Sequence, residues 1–308
     1  MATISRRAMT QLSNAVLPSA MSSRRAYTQQ SPSDSSLLQL KKLEGKVAII
    51  TGAGGGMGSA AARLFAAHGA QVVMTDTRKE EGEKIAKEIG PNVVFRKCDV
   101  TKEDDIASAV DFAVKEYGKL DIMFNNAGAI DKVEIGGGEL KDMDMHVYDK
   151  FNSINVRGIV AGIKHAARVM APAHQGVILN MGSAAAVMAG KDIGAIYSMT
   201  KSNIPGITKV CAFHLGKYGI RVNAIHPGHT PTNMLVELFN LSGVQTNFEK
   251  LQQDYAQKSH LKNKINSTMH IAKAALFLCS EDSATITGHN LTIDAGLTNV
   301  MDPTPYQL

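Results

Sequence analysis

The chain has 308 residues, 44% of them hydrophobic and 20% charged, in line with a globular protein of one large or two modest domains. No apolar run reaches the roughly 18 residues that a membrane-spanning helix needs. The formal charge is +5, but Arg6, Arg7, Arg24 and Arg25 supply most of it, and the near-neutral remainder offers no basic face to nucleic acid.

Residues 1–35 are rich in serine, alanine and arginine and carry no acid before Asp34, the composition of an organelle transit peptide. Arg24-Arg25-Ala26-Tyr27-Thr28 is similar to a mitochondrial processing site, so a mitochondrial address is expected; a plastid address and a cytoplasmic tail are the alternatives. The regular pattern occupies residues 43–298 and a tail of 299–308 follows. Cys98, Cys211 and Cys279 stand far apart, read as reduced thiols and show no metal-ligand spacing.

Val47-Ala48-Ile49-Ile50 is a short continuous apolar run, as in a parallel strand covered on both faces. The glycine-rich turn Gly52 to Gly58 follows, then a helix closed by Gly69. A second strand, 71–75, ends at Asp76, and a charged helix is predicted over about 79–89. Strand 93–95 leads to Asp99-Val100 and a helix over 103–117. Strand 121–124 leads to Asn125-Asn126-Ala127-Gly128 and a long helix over about 145–171. Strand 177–181 leads to Gly182-Ser183 and a helix that carries Tyr197 and Lys201 to about Tyr218. Strand 221–225 leads to Pro227-Gly228; two or three helical segments fill 233–280, and a last strand spans 289–293. Strands alternating with helices at this spacing predict a single α/β domain, a parallel sheet with helices on both faces. Such sheets bind ligands at the carboxyl ends of their strands, where the unusual residues gather.

Between a strand and a helix, the glycines of Gly52 to Gly58 let the backbone approach a pyrophosphate at a helix N-terminus. Asp76 lies 18 residues after Gly58 and suits the adenosine ribose hydroxyls, which favours NAD; nearby Arg78 could instead host a 2′-phosphate. Tyr197 and Lys201 are four apart, on one helical face, where an ammonium favours the phenolate and lowers the tyrosine pKa.

Thr51-Gly52, Gly56, Gly58, Asn125-Asn126-Ala127-Gly128, Ser183, Tyr197 with Lys201, and Pro227-Gly228, in this order, resemble the short-chain dehydrogenase/reductase family over about residues 44–298. His165 to Met170 and Tyr218 to Asn223 resemble its plant members that act as secoisolariciresinol, xanthoxin, momilactone and isopiperitenol dehydrogenases. The resemblance implies a Rossmann-type doubly wound sheet and roles at the matching positions. Tyr197 would be the general acid/base and Ser183 the partner of the substrate oxygen. Lys201 would tune Tyr197 and hold the nicotinamide ribose, and Asn155 would extend the proton relay. Gly52, Gly56, Met57, Gly58, Asp76, Asp99, Val100, Asn126, Ala127, Gly128, Pro227, Thr230 and Thr232 would line the NAD site. No metal is implied, and a homo-dimer or homo-tetramer is.

Several residues depart from the family pattern. Ser183 and Tyr197 are 14 apart, one more than is common, with the extra residue expected within Ala189 to Gly194. Thr230 replaces a small aliphatic residue, Pro205 interrupts the catalytic helix, and Gly136-Gly137-Gly138 loosens a loop. Ala185, Ala186, Val187, Met188 and Ile193, with Met234, Leu235, Leu238, Phe239 and Leu241, suggest an apolar substrate wall or ordinary packing. His226 and His229, beside Pro227-Gly228, suit packing or substrate contact. The expected activity is NAD-dependent oxidation of a secondary alcohol of a hydrophobic, cyclic, terpenoid-like metabolite to the ketone or lactone. A carbonyl reductase and a non-redox cyclase or isomerase that holds NAD are the alternatives.

Overall fold

The computed structural model describes residues 41–130, 140–188, 194–257, 259–262 and 264–298. Residues 1–35, read above as a transit peptide, Gly136-Gly137-Gly138, Ala189 to Ile193 and the 299–308 tail lie outside them. Seven parallel strands run β1 (Val47–Thr51), β2 (Gln71–Asp76), β3 (Val93–Lys97), β4 (Ile122–Asn125), β5 (Gly176–Met181), β6 (Ile220–Pro227) and β7 (Asn290–Ile293). Their spatial order is β3-β2-β1-β4-β5-β6-β7. The order reverses between β1 and β4, so their carboxyl ends flank a crevice where a doubly wound sheet takes its ligand.

Alternation along each strand feeds two cores. Ala48 and Ile50 of β1 join one cluster, with Phe65, Met74, Phe124 and Leu276. Val47 and Ile49 join the other, with Ile106, Met170, Ile178 and Ile204. Successive side chains of a strand point to opposite faces, so a strand that is apolar throughout has to be covered twice. Each such side chain contributes about 1.5–3 kcal/mol by its burial. The first face carries α1 (Gly56–Ala67), α2 (Lys79–Ile89) and the helix Thr268–Cys279. The second carries α3 (Glu103–Tyr117), the helix Gly158–Met170 and the helix Ala195–Gly216.

In chain order the remaining helices are α4 (Met145–Asn152), α5 (Gly158–Met170), α6 (Ala195–Gly216), α7 (Asn233–Leu241), α8 (Phe248–Gln257) and α9 (Thr268–Cys279). The single helix expected over 145–171 differs in one respect. A π turn, Ser153–Arg157, joins α4 to α5 and contains Asn155. Such turns gather at functional sites because the extra residue re-aims a side chain. Pro205 lies inside α6, which continues through it. The Lys201 carbonyl, which would have accepted its amide, has no such partner. Ser202 and Asn203 donate to the Ser198 and Met199 carbonyls, at 2.8 Å and 2.9 Å, in the turn before it.

No helix of the described residues is long and apolar enough to cross a membrane. The Cys98 and Cys279 thiols are buried, and burial pushes both pKa values up to about 12, which makes them unreactive.

Candidate active site

At the switch point, Thr51 ties β1 to β4: its hydroxyl accepts the Asn126 and Ala127 amides, each at 3.0 Å. The Asn126 side chain donates to the Thr51 and Gly52 carbonyls at 2.8 Å and 3.1 Å. Its Oδ1 is buried with no hydrogen-bond partner among the described residues. The turn has no room for side chains. A Cβ on Gly52 would stand 2.7 Å from the Ala127 Cα, and one on Gly58 would stand 2.6 Å from the Gly52 carbonyl and from Asn126 Nδ2. Gly52 and Gly56 have φ of +64° and +55°, a region that costs other residues strain. Met57 lies half-buried in the first turn of α1. A bare backbone cradle and a helix N-terminus fit the diphosphate of a dinucleotide, while the orphaned Asn126 oxygen suits a hydroxyl or amide donor of the same ligand.

Asp76 is 8% exposed and faces this turn. Its carboxylate accepts the Gly54 amide at 2.9 Å and the Arg78 amide at 3.0 Å. Arg78 Nε and Nη2 lie at 3.2 Å and 3.3 Å. Burial alone would raise the Asp76 pKa, but the hydrogen bonds from Arg78 and Gly54 outweigh it and the net shift is downward. Arg78 thus lies beside the turn and engages Asp76, so an anionic ligand group at this place meets a carboxylate already paired with a guanidinium. Asp99 turns its carboxylate onto the Thr101 amide and hydroxyl, at 3.0 Å and 2.7 Å, and Val100 packs where Gly158 leaves space on α5.

Across the crevice, β5 ends at Met181 and Ser183 caps a short turn, its hydroxyl accepting the Ala185 amide at 3.2 Å. Tyr197 lies in the first turn of α6 and hydrogen-bonds Ser183. Lys201 is one turn on, 2% exposed, with its Nζ donating to the Met181 carbonyl at 3.0 Å and lying 5.7 Å from the centre of the Tyr197 ring. The expected lowering of the phenol by Lys201 is not what the structure gives. Burial pushes Tyr197 above its ordinary pKa against the Ser183 hydrogen bond, and burial brings Lys201 down to about 8.

Asn155 is fully buried and bridges three segments. Its Oδ1 accepts the Ala129 amide at 2.8 Å, and its Nδ2 donates to the Ala129 carbonyl and to Thr200 Oγ1, both at 3.0 Å. Thr200 in turn donates to the Tyr197 carbonyl at 2.8 Å. A Cβ on Gly128 would lie 3.2 Å from Lys201 Nζ and 3.4 Å from Asn155 Oδ1, which brings the lysine and the asparagine to one wall. Sequence reasoning missed Thr200, whose only signal is its place beside Lys201. It also missed the buried run Asn125 to Asn180 to Thr208, at 3.0 Å and 3.2 Å, which laces β4, β5 and α6 behind the site.

Pro227 ends β6, and Thr230 donates to the Gly228 carbonyl at 3.0 Å. Thr232 caps α7 by accepting the Leu235 amide at 3.3 Å, and its methyl lies 3.8 Å from where a Gly56 Cβ would stand. The segment after Thr232 therefore starts beside the glycine turn. No residue of α7 is fully buried; Met234 is 50% and Leu241 65% exposed, and Val187 of the opposite loop is 61% exposed. Ala184 and Ala185, in contrast, are packed inside. His229 stacks on Tyr255 of α8, ring centres 4.3 Å apart, while His226 is turned inward.

The fold and these residues define an oxidoreductase of the doubly wound type, and the comparisons agree. Residues 52–298 match the family described as enoyl-(acyl carrier protein) reductase. Short-chain dehydrogenase reductase 3c of Arabidopsis thaliana is 40% identical over 84% of this chain and 96% of its own length. Zerumbone synthase of Zingiber zerumbet is 38% identical over 83% of this chain and 95% of its own. (+)-Borneol dehydrogenase 2 of Salvia officinalis is 36% identical over 84% and 91%. The chain belongs to the short-chain dehydrogenase/reductase family.

Proposed function

We propose that the protein oxidises a secondary alcohol of a hydrophobic, cyclic, terpenoid-like metabolite to the ketone or lactone with NAD. The observation that carries this reading is the convergence of Ser183, Tyr197 and Lys201 on one wall of a crevice whose other wall is the glycine turn with Asp76. The Gly52 to Gly58 backbone would hold the diphosphate and Asp76 the adenosine ribose. Asp99 and Val100 would flank adenine, and Asn126, Ala127 and Gly128 would run along the dinucleotide. Lys201 would hold the nicotinamide ribose, and Pro227, Thr230 and Thr232 would face the carboxamide. When bound, NAD supplies the hydride acceptor and a positive ring that favours the Tyr197 phenolate.

Ser183 and Tyr197 share the substrate oxygen. As the phenolate, which the Lys201 ammonium stabilises, Tyr197 takes the hydroxyl proton and becomes a neutral phenol while the carbon gives up its hydride to the bound cofactor. Asn155 keeps the 127–129 strip, Thr200 and the first turn of α6 in register. Oxidation and reduction use the same atoms, so the direction follows from the cofactor ratio. The exposed apolar residues of α7 and Val187 suit a bulky hydrophobic substrate, and the borneol- and zerumbone-related names of two relatives agree with that class.

Cyclic and terpenoid alcohols, assayed with NAD and with NADP, test the reading. NAD should give the higher kcat/KM; equal or higher values with NADP refute the role given to Asp76. The proposal extends to a mitochondrial address in residues 1–35, tested by import of a fusion carrying them. It also extends to a homo-dimer or homo-tetramer, tested by light scattering.

A further inference from the structure

His226 sits at the end of β6, 2% exposed, directly beneath the turn that carries Ser183. Both ring nitrogens are engaged. Nε2 lies 3.0 Å from Asn290 Oδ1 on β7, and an amide oxygen only accepts, so Nε2 carries a proton. In the neutral ring Nδ1 is then an acceptor and takes the Ser183 amide at 3.3 Å; the Ser183 carbonyl stands at 3.1 Å from the same nitrogen, a contact that only a protonated Nδ1 could use. Gly182 makes this possible, because a Cβ there would stand 2.3 Å from the imidazole. Burial lowers the His226 pKa against the contacts to Asn290 and to the Ser183 carbonyl, and the charge of Lys201 on α6 lowers it further, which favours the neutral ring.

We propose that His226 is a positioning residue for Ser183: its neutral imidazole, oriented by Asn290, grips the Ser183 amide and aims the serine hydroxyl at the oxygen shared with Tyr197. This rests on the role given above to Ser183. Apart from the Gly182 amide on the Ile225 carbonyl, at 2.8 Å, the other anchors of this turn lie within it or at the site: the Ser183 hydroxyl and carbonyl accept the Ala185 and Ala186 amides, at 3.2 Å and 2.9 Å, and the hydroxyl also bonds Tyr197. A shift of the amide therefore carries the hydroxyl with it, and catalytic geometry is sensitive to displacements of this size.

Two substitutions separate positioning from packing. In His226→Asn the side-chain oxygen occupies the place of Nδ1 and still accepts the Ser183 amide, but the contact with Asn290 is lost. In His226→Gln the amide reaches the place of Nε2 and keeps Asn290, but the grip on Ser183 is lost. With an alcohol that the full-length protein oxidises, kcat should fall about tenfold in His226→Gln. It should stay within about threefold in His226→Asn. KM for NAD should hold in both. Equal kcat losses in the two variants overturn the proposal. Ser183→Ala measured alongside keeps the two readings apart: if it leaves kcat unchanged, the role of Ser183 itself fails. A readout without turnover is the 15N spectrum of histidine-labelled protein, with the His226 signal assigned by its loss in His226→Asn. A neutral Nε2–H tautomer near neutral pH is expected, and a neutral Nδ1–H tautomer, which could only donate to the Ser183 carbonyl, overturns the assignment.

Discussion

Replacing Asn155 by alanine removes the clamp between the 127–129 strip and α6. The Ala129 amide and carbonyl both lose their partner, and Thr200 keeps only its bond to the Tyr197 carbonyl. A buried group left unpaired costs about 1–3 kcal/mol. Ala129 is half-buried, so water recovers part of this, and a total loss of about 2–4 kcal/mol is expected. For a domain of this size that lowers Tm by roughly 4–16 °C. The catalytic loss should be larger than the stability loss suggests, because the first turn of α6 is freed to drift. A displacement of about 1 Å costs on the order of 100-fold in kcat. Asn155→Asp sharpens the test: it keeps an acceptor for the Ala129 amide but sets a carboxylate against the Ala129 carbonyl. Thermal denaturation and steady-state kinetics on both variants measure the two effects. An Asn155→Ala protein with wild-type kcat, folded at the assay temperature, would refute the clamp.

Lys201 carries a stability prediction with a definite sign. Its pKa is about 8 in the fold against 10.5 ordinarily, so between those values the unfolded chain binds more protons and stability rises with pH. Lys201→Met should remove that rise, and near neutral pH it should be more stable than wild type by up to ~3 kcal/mol, less the lost bond to Met181, while turnover is abolished. Denaturant melts at neutral and alkaline pH check it; equal pH dependence in the two proteins contradicts it. Asp76→Asn keeps an acceptor for Gly54 but removes the charge beside Arg78, so the NADP-to-NAD ratio of kcat/KM should rise about 10- to 100-fold. An unchanged ratio contradicts the role of the carboxylate. Gly162→Ala would set a Cβ 1.9 Å from Asn125 Oδ1, and should destabilise the fold by about 1–3 kcal/mol in a thermal melt.

The strands were legible because parallel strands covered on both faces are apolar throughout, and the switch point followed from the glycine turn at one strand end and Asn126 at another. Spacing marked Asp76, Tyr197 and Lys201 as candidates, and the ordered motifs of the family resemblance supplied their expected roles. The π turn at Ser153–Arg157 was not, because its residues carry the same helical pattern as their neighbours; only the crowding of Asn155 between Ala129 and Thr200 reveals its effect. The upward shift of Tyr197 was not legible either. Helical spacing puts an ammonium near a phenol, but the balance between that charge and burial depends on how deeply both are packed. His226 read as packing or substrate contact; its partner Asn290 lies on another strand, which no local pattern links to Ser183.

On the proposed function, Tyr197 moves the proton of an alcohol whose hydride goes to NAD. Tyr197→Phe tests it most directly: NADH absorbance is followed with a cyclic terpenoid alcohol that the wild type oxidises, and NAD binding is titrated on the same preparations. Turnover should fall by about 1,000-fold or more, with NAD affinity within about threefold of wild type. Turnover near the wild-type rate in the phenylalanine variant would contradict it.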